Sequence, residues 1–250
     1  VIAARPSMGK SSIISTFAIQ SLLNKKGVLI ESLEMPAKKI MMRLIATKAG
    51  ENLNDLKKGL VKNRTKFKEA IDFFGTNELI IHDKSYPTLT ELQSRIKGIL
   101  RKNPNIKNIF VDHTGKIQLL GKTREDIEIG HISAMLKKIA RDYNIRVFLL
   151  QQLNRGLETR ENKRPILSDL KNSGNIEEDA DIVLGLYRES YYKKKKEDTL
   201  SIIEKVQEAA EIIVLKNRDG KTGTAHVGFE GAYVRFVEKE ITQPLIVEFE

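Results

Sequence analysis

"ARPSMGKSS" runs from Ala4 to Ser12, behind an apolar Val1-Ile2-Ala3 and ahead of an amphipathic run. Its spacing is that of a phosphate-binding loop, G-x-x-x-x-G-K-[ST]. Gly9, Lys10 and Ser11 are in register, and Ala4 stands at the first glycine position. Ala4 serves there if its φ is negative. Gly9 lets backbone N–H groups turn inward, Lys10 reaches the β- and γ-phosphates, and Ser11 can ligate Mg2+. The helix that follows offers its N-terminus to the same charge. A strand before and a helix after separate this reading from an accidental G-K-S in a turn. The candidate nucleotide-binding segment is therefore Ala4, Arg5, Pro6, Ser7, Met8, Gly9, Lys10, Ser11 and Ser12.

Outward from the loop, the pattern alternates. Residues 10–24 read as a helix and Gly27–Leu33 as a buried strand. Pro36 suits the first turn of a helix over 36–49. Residues 52–75 are helical in pieces, and 78–83 is a strand. Thr88 and Glu91 form a capping box opening a helix to about Arg101. Strands follow at 106–112 and 145–151, with a helix at 127–143 between them. A polar loop runs to about Ser168, then comes a short helical piece and a strand at 180–187. Near-continuous apolar strands with helices between them predict a mostly parallel α/β sheet flanked by helices. After residue 209, "AEIIVLKNR", "TAHVGFE" and "AYVRF" with Gly-containing turns predict antiparallel strands. A chain of 250 residues suits one domain over 1–250. Only three residues precede the loop, too few for a buried strand, so the first strand is predicted to be truncated. The charged segment 189–208, with "KKKK" at 193–196, reads as a solvated insertion.

Forty-three Lys and Arg against 33 Asp and Glu leave a net charge of +10, which suits a polyanionic partner. The absence of cysteine excludes disulfides and thiolate metal sites and agrees with a cytoplasmic location. No apolar run approaches a membrane span, and no secretory signal is present, so no membrane partner is expected. The four histidines are scattered without metal-ligand spacing.

A phosphate loop needs a second acid for its metal. Asp112 ends an apolar strand about a hundred residues on and suits that role. His113 follows it, where many ATPases carry the water-activating Glu, so the base must come from elsewhere. Glu34 is the best candidate, at the C-terminal end of the strand after the loop's helix. Strand C-termini of a parallel sheet share the edge where ligands bind. Glu31, inside the strand, is its rival.

"ARPSMGKSS", "SLEMPAKKIMMR", "QQLNRGLETRENKRPILSDLKNSGNIEEDADIVLGLYR" and "AEIIVLKNRDGKTGTAHVGFEGAYVRF" together resemble the C-terminal motor domain of the bacterial replicative helicase, the DnaB family. The resemblance covers nearly the whole chain and implies a RecA-like fold. It implies ATP and Mg2+ as cofactors, with Lys10 and Ser11 on phosphate and metal, Glu34 as base and Asp112 in the metal shell. It gives Gln152 the place of a sensor glutamine. Lys216 and Arg218 match a K-x-R element reaching the neighbouring subunit's ATP site, with Arg218 as arginine finger. On a strand, i and i+2 point to one face, which suits that pairing. The family's N-terminal domain and linker helix are not in this sequence.

A finger acting in trans implies a head-to-tail ring, and the family forms homo-hexamers around one DNA strand. The loop Asn154–Gly174 carries Arg155, Arg160, Lys163, Arg164 and Lys171, groups suited to phosphates of single-stranded DNA. By resemblance, Lys171, Asn172 and Gly174 contact the strand's backbone. Primase and a helicase loader are implied partners. "DHTGKIQLLGKTRED" departs from the family pattern, with His113 for Tyr and an insertion near Thr114–Lys116. The sequence thus predicts an ATP-dependent replicative DNA helicase motor. A RecA-type recombinase and a small-molecule kinase are the rivals sharing the loop.

Overall fold

The computed structural model describes residues 1–84, 86–113, 115, 117, 125–170, 174–194 and 207–238. Six short strands alternate with helices: β1 (Ile2–Ala4), α1 (Lys10–Leu23), β2 (Gly27–Ser32), α2 (Ala37–Ala49), α3 (Leu53–Lys57), α4 (Arg64–Thr76), β3 (Leu79–His82), α5 (Leu89–Lys102), β4 (Ile106–Asp112), α6 (Glu125–Asp142), β5 (Arg146–Gln152), α7 (Gly174–Asp179) and β6 (Ile182–Tyr187). After α8 (Glu189–Lys194) come β7 (Glu208–Asn217), β8 (Gly223–Glu230) and β9 (Arg235–Glu238). The nine strands make one sheet in the order β3-β2-β4-β5-β1-β6-β7-β8-β9. The first six are parallel and the last three antiparallel, as the sequence pattern predicts.

The apolar runs are explained by burial on both faces. Leu29, Ile109 and Leu149 pack on the side of α5 and α6, against Leu92, Ile96, Ile132 and Leu136. Their neighbours Ile30, Phe110 and Leu150 pack on the opposite side, against Ile13, Leu22 and Leu44 of α1 and α2. Phe110 and Phe148 stack at 4.7 Å between ring centres.

Two expectations are corrected. Ile2–Ala4 is a central strand, fully buried between β5 and β6. Both flanking strands bond to these three residues, and this overturns the expectation that three are too few for a buried strand. Pro36 lies one residue ahead of α2, at ψ 143°, rather than in its first turn. Of the expected insertion, 189–194 is helical and Glu208 already belongs to β7; 195–206 lies outside the described residues. The Thr88–Glu91 capping box is present.

Parallel register gives the sheet two unlike edges. Ala4 pairs with Gln152, and Ser32 with Asp112, so the C-terminal ends of β1, β2, β4 and β5 lie along one edge. β6 also points that way and ends at Tyr187. β7 runs back, pairing Glu211 with Tyr187 at that edge and Asn217 with Ile182 at the other.

Candidate functional site

Between β1 and α1 the loop turns on two residues of positive φ, Ser7 at 65° and Gly9 at 108°. Ala4 is an ordinary strand residue, as its place requires. A side chain at Gly9 would be strained, and its Cβ would lie 2.9 Å from the Phe236 ring. Met8 is buried in the core and anchors the loop. Among the described residues, the N–H groups of Gly9, Lys10 and Ser11 have no acceptor, so three donors lie at the head of α1. Pro6 and Ser7 are exposed, while Ser12 is buried. The Arg5 side chain turns away from these donors. It donates to the Leu153 carbonyl at 2.8 Å and pairs with Glu158 at 2.9 Å.

Lys10 sits close to Asp112 and Glu34. Burial lowers the Lys10 pKa, and the attraction of Asp112, then of Glu34, opposes it. Burial raises the Asp112 pKa against the pull of Lys10 and His113. Asp112 is held by the sheet: Leu33 N–H donates to its carbonyl at 2.7 Å. After β2 the chain turns through Ser32, whose hydroxyl donates to the Met35 carbonyl at 2.7 Å and accepts its N–H at 3.1 Å. That turn carries Glu34 to the surface, with its side chain 54% exposed and 3.3 Å from His113 Nε2. Glu31 is fully buried. Its carboxylate takes Arg95 Nη2 at 2.7 Å and Nε at 3.1 Å, with His82 Nδ1 at 3.7 Å. Of the two candidate bases, only Glu34 is open to solvent. Gln152 pairs with Ala4 at the foot of the loop.

Lys216 and Arg218 lie at the opposite edge. Lys216 Nζ donates to the Glu177 carbonyl at 2.5 Å, and Arg218 Nη2 to the Glu178 carbonyl at 3.0 Å, both at the C-terminal end of α7. Arg218 Nη1 also lies 3.5 Å from Asp181. β6 spans the gap to their own chain's phosphate loop, about 20 Å at the usual rise per residue.

The segment after β5 is knitted to the body. Arg160 pairs with Asp169 at 2.6 Å, and Arg164 grips both oxygens of Glu211 at 2.7 Å. That pairing, above all its hydrogen bond, raises the Arg164 pKa. Arg155 is exposed at the start of a 3-10 turn. Lys171 and Asn172 lie outside the described residues; Gly174 starts α7.

Two arginines went unnoticed in the sequence. Arg43 of α2 faces the same small space as Ser11 and Asp112; burial lowers its pKa, and Asp112 opposes that. Arg188 donates to the Ser7 carbonyl at 3.1 Å, pairs with Glu208 at 2.5 Å and lies 3.9 Å over the Phe229 ring. Its signal was an arginine directly after an apolar strand ending at the loop's edge. Among the described residues there is no group of acidic, His or Cys side chains sufficient for a metal by itself, and no helix long and apolar enough to cross a membrane.

A family model described as the DnaB-like helicase C terminal domain matches residues 1–238. The replicative DNA helicase DnaB of Helicobacter pylori is 34% identical over 98% of this chain and 56% of its own length. That of Haemophilus influenzae is 36% identical over 94% of this chain and 50% of its own length. The chain thus spans about half the length of the curated relatives it matches. Among solved structures, one described as an ATPase domain superposes with a TM-score of 0.84, at 34% identity over 96% of this chain and 84% of that one. A DnaB-like replicative helicase, described with its interactions with primase, gives 0.85 at 34% identity, over 96% of this chain and 58% of that one.

Proposed function

The chain belongs to the family of DnaB-like helicase C-terminal domains, and from that premise we propose that it is the ATP-hydrolysing motor of a replicative DNA helicase. In this reading it works as a homo-hexameric ring on single-stranded DNA in the cytoplasm, with primase and a helicase loader as partners. One observation carries the ring: Lys10, Asp112 and Glu34 meet at one sheet edge, while Lys216 and Arg218 stand at the other. An arginine so far from its own loop supports a role in a neighbour's site. Head-to-tail contact, closed by rotation, repeats that pairing around a ring.

The unpaired N–H groups of Gly9, Lys10 and Ser11 suit a phosphate. The Ser11 hydroxyl and Asp112 carboxylate are oxygen donors of the kind a hard cation takes. They would hold Mg2+, which supplies positive charge to the phosphate oxygens. Lys10 neutralises the β- and γ-phosphates. Glu34, exposed enough to meet water, orients that water in line and takes its proton as the bond to the leaving β-phosphate oxygen breaks. Arg218 of the neighbour answers the charge on the transferring group, with Lys216 beside it. Gln152, between the loop and the 154–174 segment, passes phosphate state to DNA contacts at Arg155, Arg164, Lys171, Asn172 and Gly174. Strand displacement by the full-length protein tests the whole reading. ATP-dependent unwinding, with hydrolysis stimulated by single-stranded DNA, is the expected result. Phosphate transfer to a small acceptor without DNA stimulation would overturn it in favour of a kinase.

A further inference from the structure

The richest run of positive charge lies on neither edge. Residues 57–68, "KKGLVKNRTKFK", hold six cations and no acid. Lys57, Lys58, Lys62, Arg64, Lys66 and Lys68 are all exposed. Among the described residues only Lys62 of these is ion-paired, to Asp55 at 3.0 Å. α3 and α4 add only Asp55, Glu69 and Asp72 to these six cations, so positive charge outnumbers negative two to one on this surface.

Beside it opens a cleft of about 640 Å3, bounded by the end of α2, the start of α4 and the turn between β8 and β9. Lys48, Lys62, Lys66 and Arg235 line it. Two rings stand in its wall, each under a cation: Lys48 lies 4.6 Å from the Phe73 ring centre, and Arg235 5.2 Å from that of Tyr233. Two acids face it. Glu51 is occupied by the N–H groups of Lys62 and Asn63, at 3.2 and 2.5 Å; Glu69 is the other. The cleft is built: Leu53 N–H donates to the Ala232 carbonyl at 2.9 Å, and the Thr47 hydroxyl to that of Tyr233 at 3.2 Å. It opens past the nucleotide site along α2: Lys48 stands five residues beyond Arg43, and Arg235 adjoins Phe236, whose ring faces Gly9.

We propose that the α3–α4 surface and this cleft bind the sugar-phosphate backbone of a nucleic acid, independently of nucleotide and of the 154–174 segment. Fanned cations match the repeated charge of a phosphate backbone, and aromatic walls tolerate any base. An acidic protein segment would need no rings. The binding does not depend on the motor function.

The test is fluorescence anisotropy of a labelled oligo-deoxythymidine strand, and of a duplex, titrated with the 250-residue chain across a salt series without nucleotide. Lys58→Gln/Lys66→Gln/Lys68→Gln removes three cations from the surface. Lys25→Gln/Lys26→Gln/Lys102→Gln removes three exposed cations elsewhere. The first variant is expected to bind about tenfold more weakly at low salt, with the log–log salt slope for the single strand reduced by about 2. The control is expected to stay close to the parent. Should the triple variant melt early, Lys57→Gln/Arg64→Gln carries the same comparison with two charges removed. Equal loss in the surface and control variants would reduce the effect to net charge and overturn the proposal. So would undiminished binding by the surface variant, or tighter binding of polyglutamate than of either nucleic acid by the parent.

Discussion

The two edges of this sheet are built from opposite chemistry. At the C-terminal edge of the parallel strands, Lys10, Asp112 and Arg43 are crowded and desolvated, and burial shifts the pKa of each. At the other edge, Lys216 and Arg218 rest on helix carbonyls, and Arg218 is half exposed. The first edge holds charge that something must still satisfy; the second offers charge only lightly held. Two incomplete halves on one chain, facing apart, make sense when copies meet head to tail.

The sharpest way to break this comparison is Arg218→Ala. Supplying an arginine finger is worth about 10³–10⁵ in rate where measured. Single-strand-stimulated ATPase activity of assembled rings should fall within that range, while nucleotide binding by the isolated chain is retained. Lys10→Ala should also abolish turnover, and it should weaken nucleotide binding as well. Mixed rings then separate cis from trans, because some interfaces pair an intact loop with an intact finger. Partial recovery under single-turnover conditions is expected. Activity no higher than in the separate variants, in rings shown to be mixed, would return Arg218 to its own chain and remove the main support for the ring.

Next in size is the choice of base. Glu34→Gln keeps shape but loses the proton acceptor, so nucleotide should bind normally while hydrolysis slows by about 10²–10⁴. Glu31→Gln should do something different. It leaves Arg95, only 14% exposed, without its buried partner, a loss of about 3–5 kcal/mol in stability. A denaturant melt should reveal that loss, and turnover per folded molecule should change little. The opposite pattern would mean that the buried carboxylate is the catalytic one.

Much of this was legible beforehand because it is local. The strand–loop–helix turn of Ala4–Ser12 is local, as are the capping box of α5 and the turns of the antiparallel strands. What escaped is set by partners far along the chain. Arg5 sits inside the loop motif, yet its guanidinium belongs to Glu158 and Leu153. Arg164 reads as a free cation until β7 brings Glu211 beside it. That three residues of β1 can be buried was hidden too, because a strand's length says nothing of the two strands that flank it. The opposition of the two edges was also invisible. Spacing put Lys216 and Arg218 on one face, but only the register of β6 with β7 says which end of the sheet they occupy.

The smallest expected effect asks whether the edges are independent. β7 touches both. Glu208, at its start, pairs with Arg188, which holds the Ser7 carbonyl; its far end leads into Lys216 and Arg218. Arg188→Met would keep an apolar chain over the Phe229 ring while removing the charge and both bonds. Ser7, at positive φ, would lose its tether, and the loop's donors would be less well arrayed. A charge-assisted hydrogen bond is worth about 1.5–3 kcal/mol, of which only the part felt in the bound loop appears in affinity. Nucleotide affinity, read by anisotropy of a fluorescent ADP, should therefore fall by about tenfold, with turnover at saturation nearly unchanged. Unchanged affinity would remove Arg188 from the site. Mixing supplies the second readout. An Arg188→Met subunit still carries Arg218, so opposite an Arg218→Ala neighbour it should restore that neighbour's intact loop to the parental rate. Failure to do so, in rings shown to be mixed, would mean that loosening the loop end of β7 disturbs the finger end. The two edges would then be coupled through one strand rather than merely joined by it.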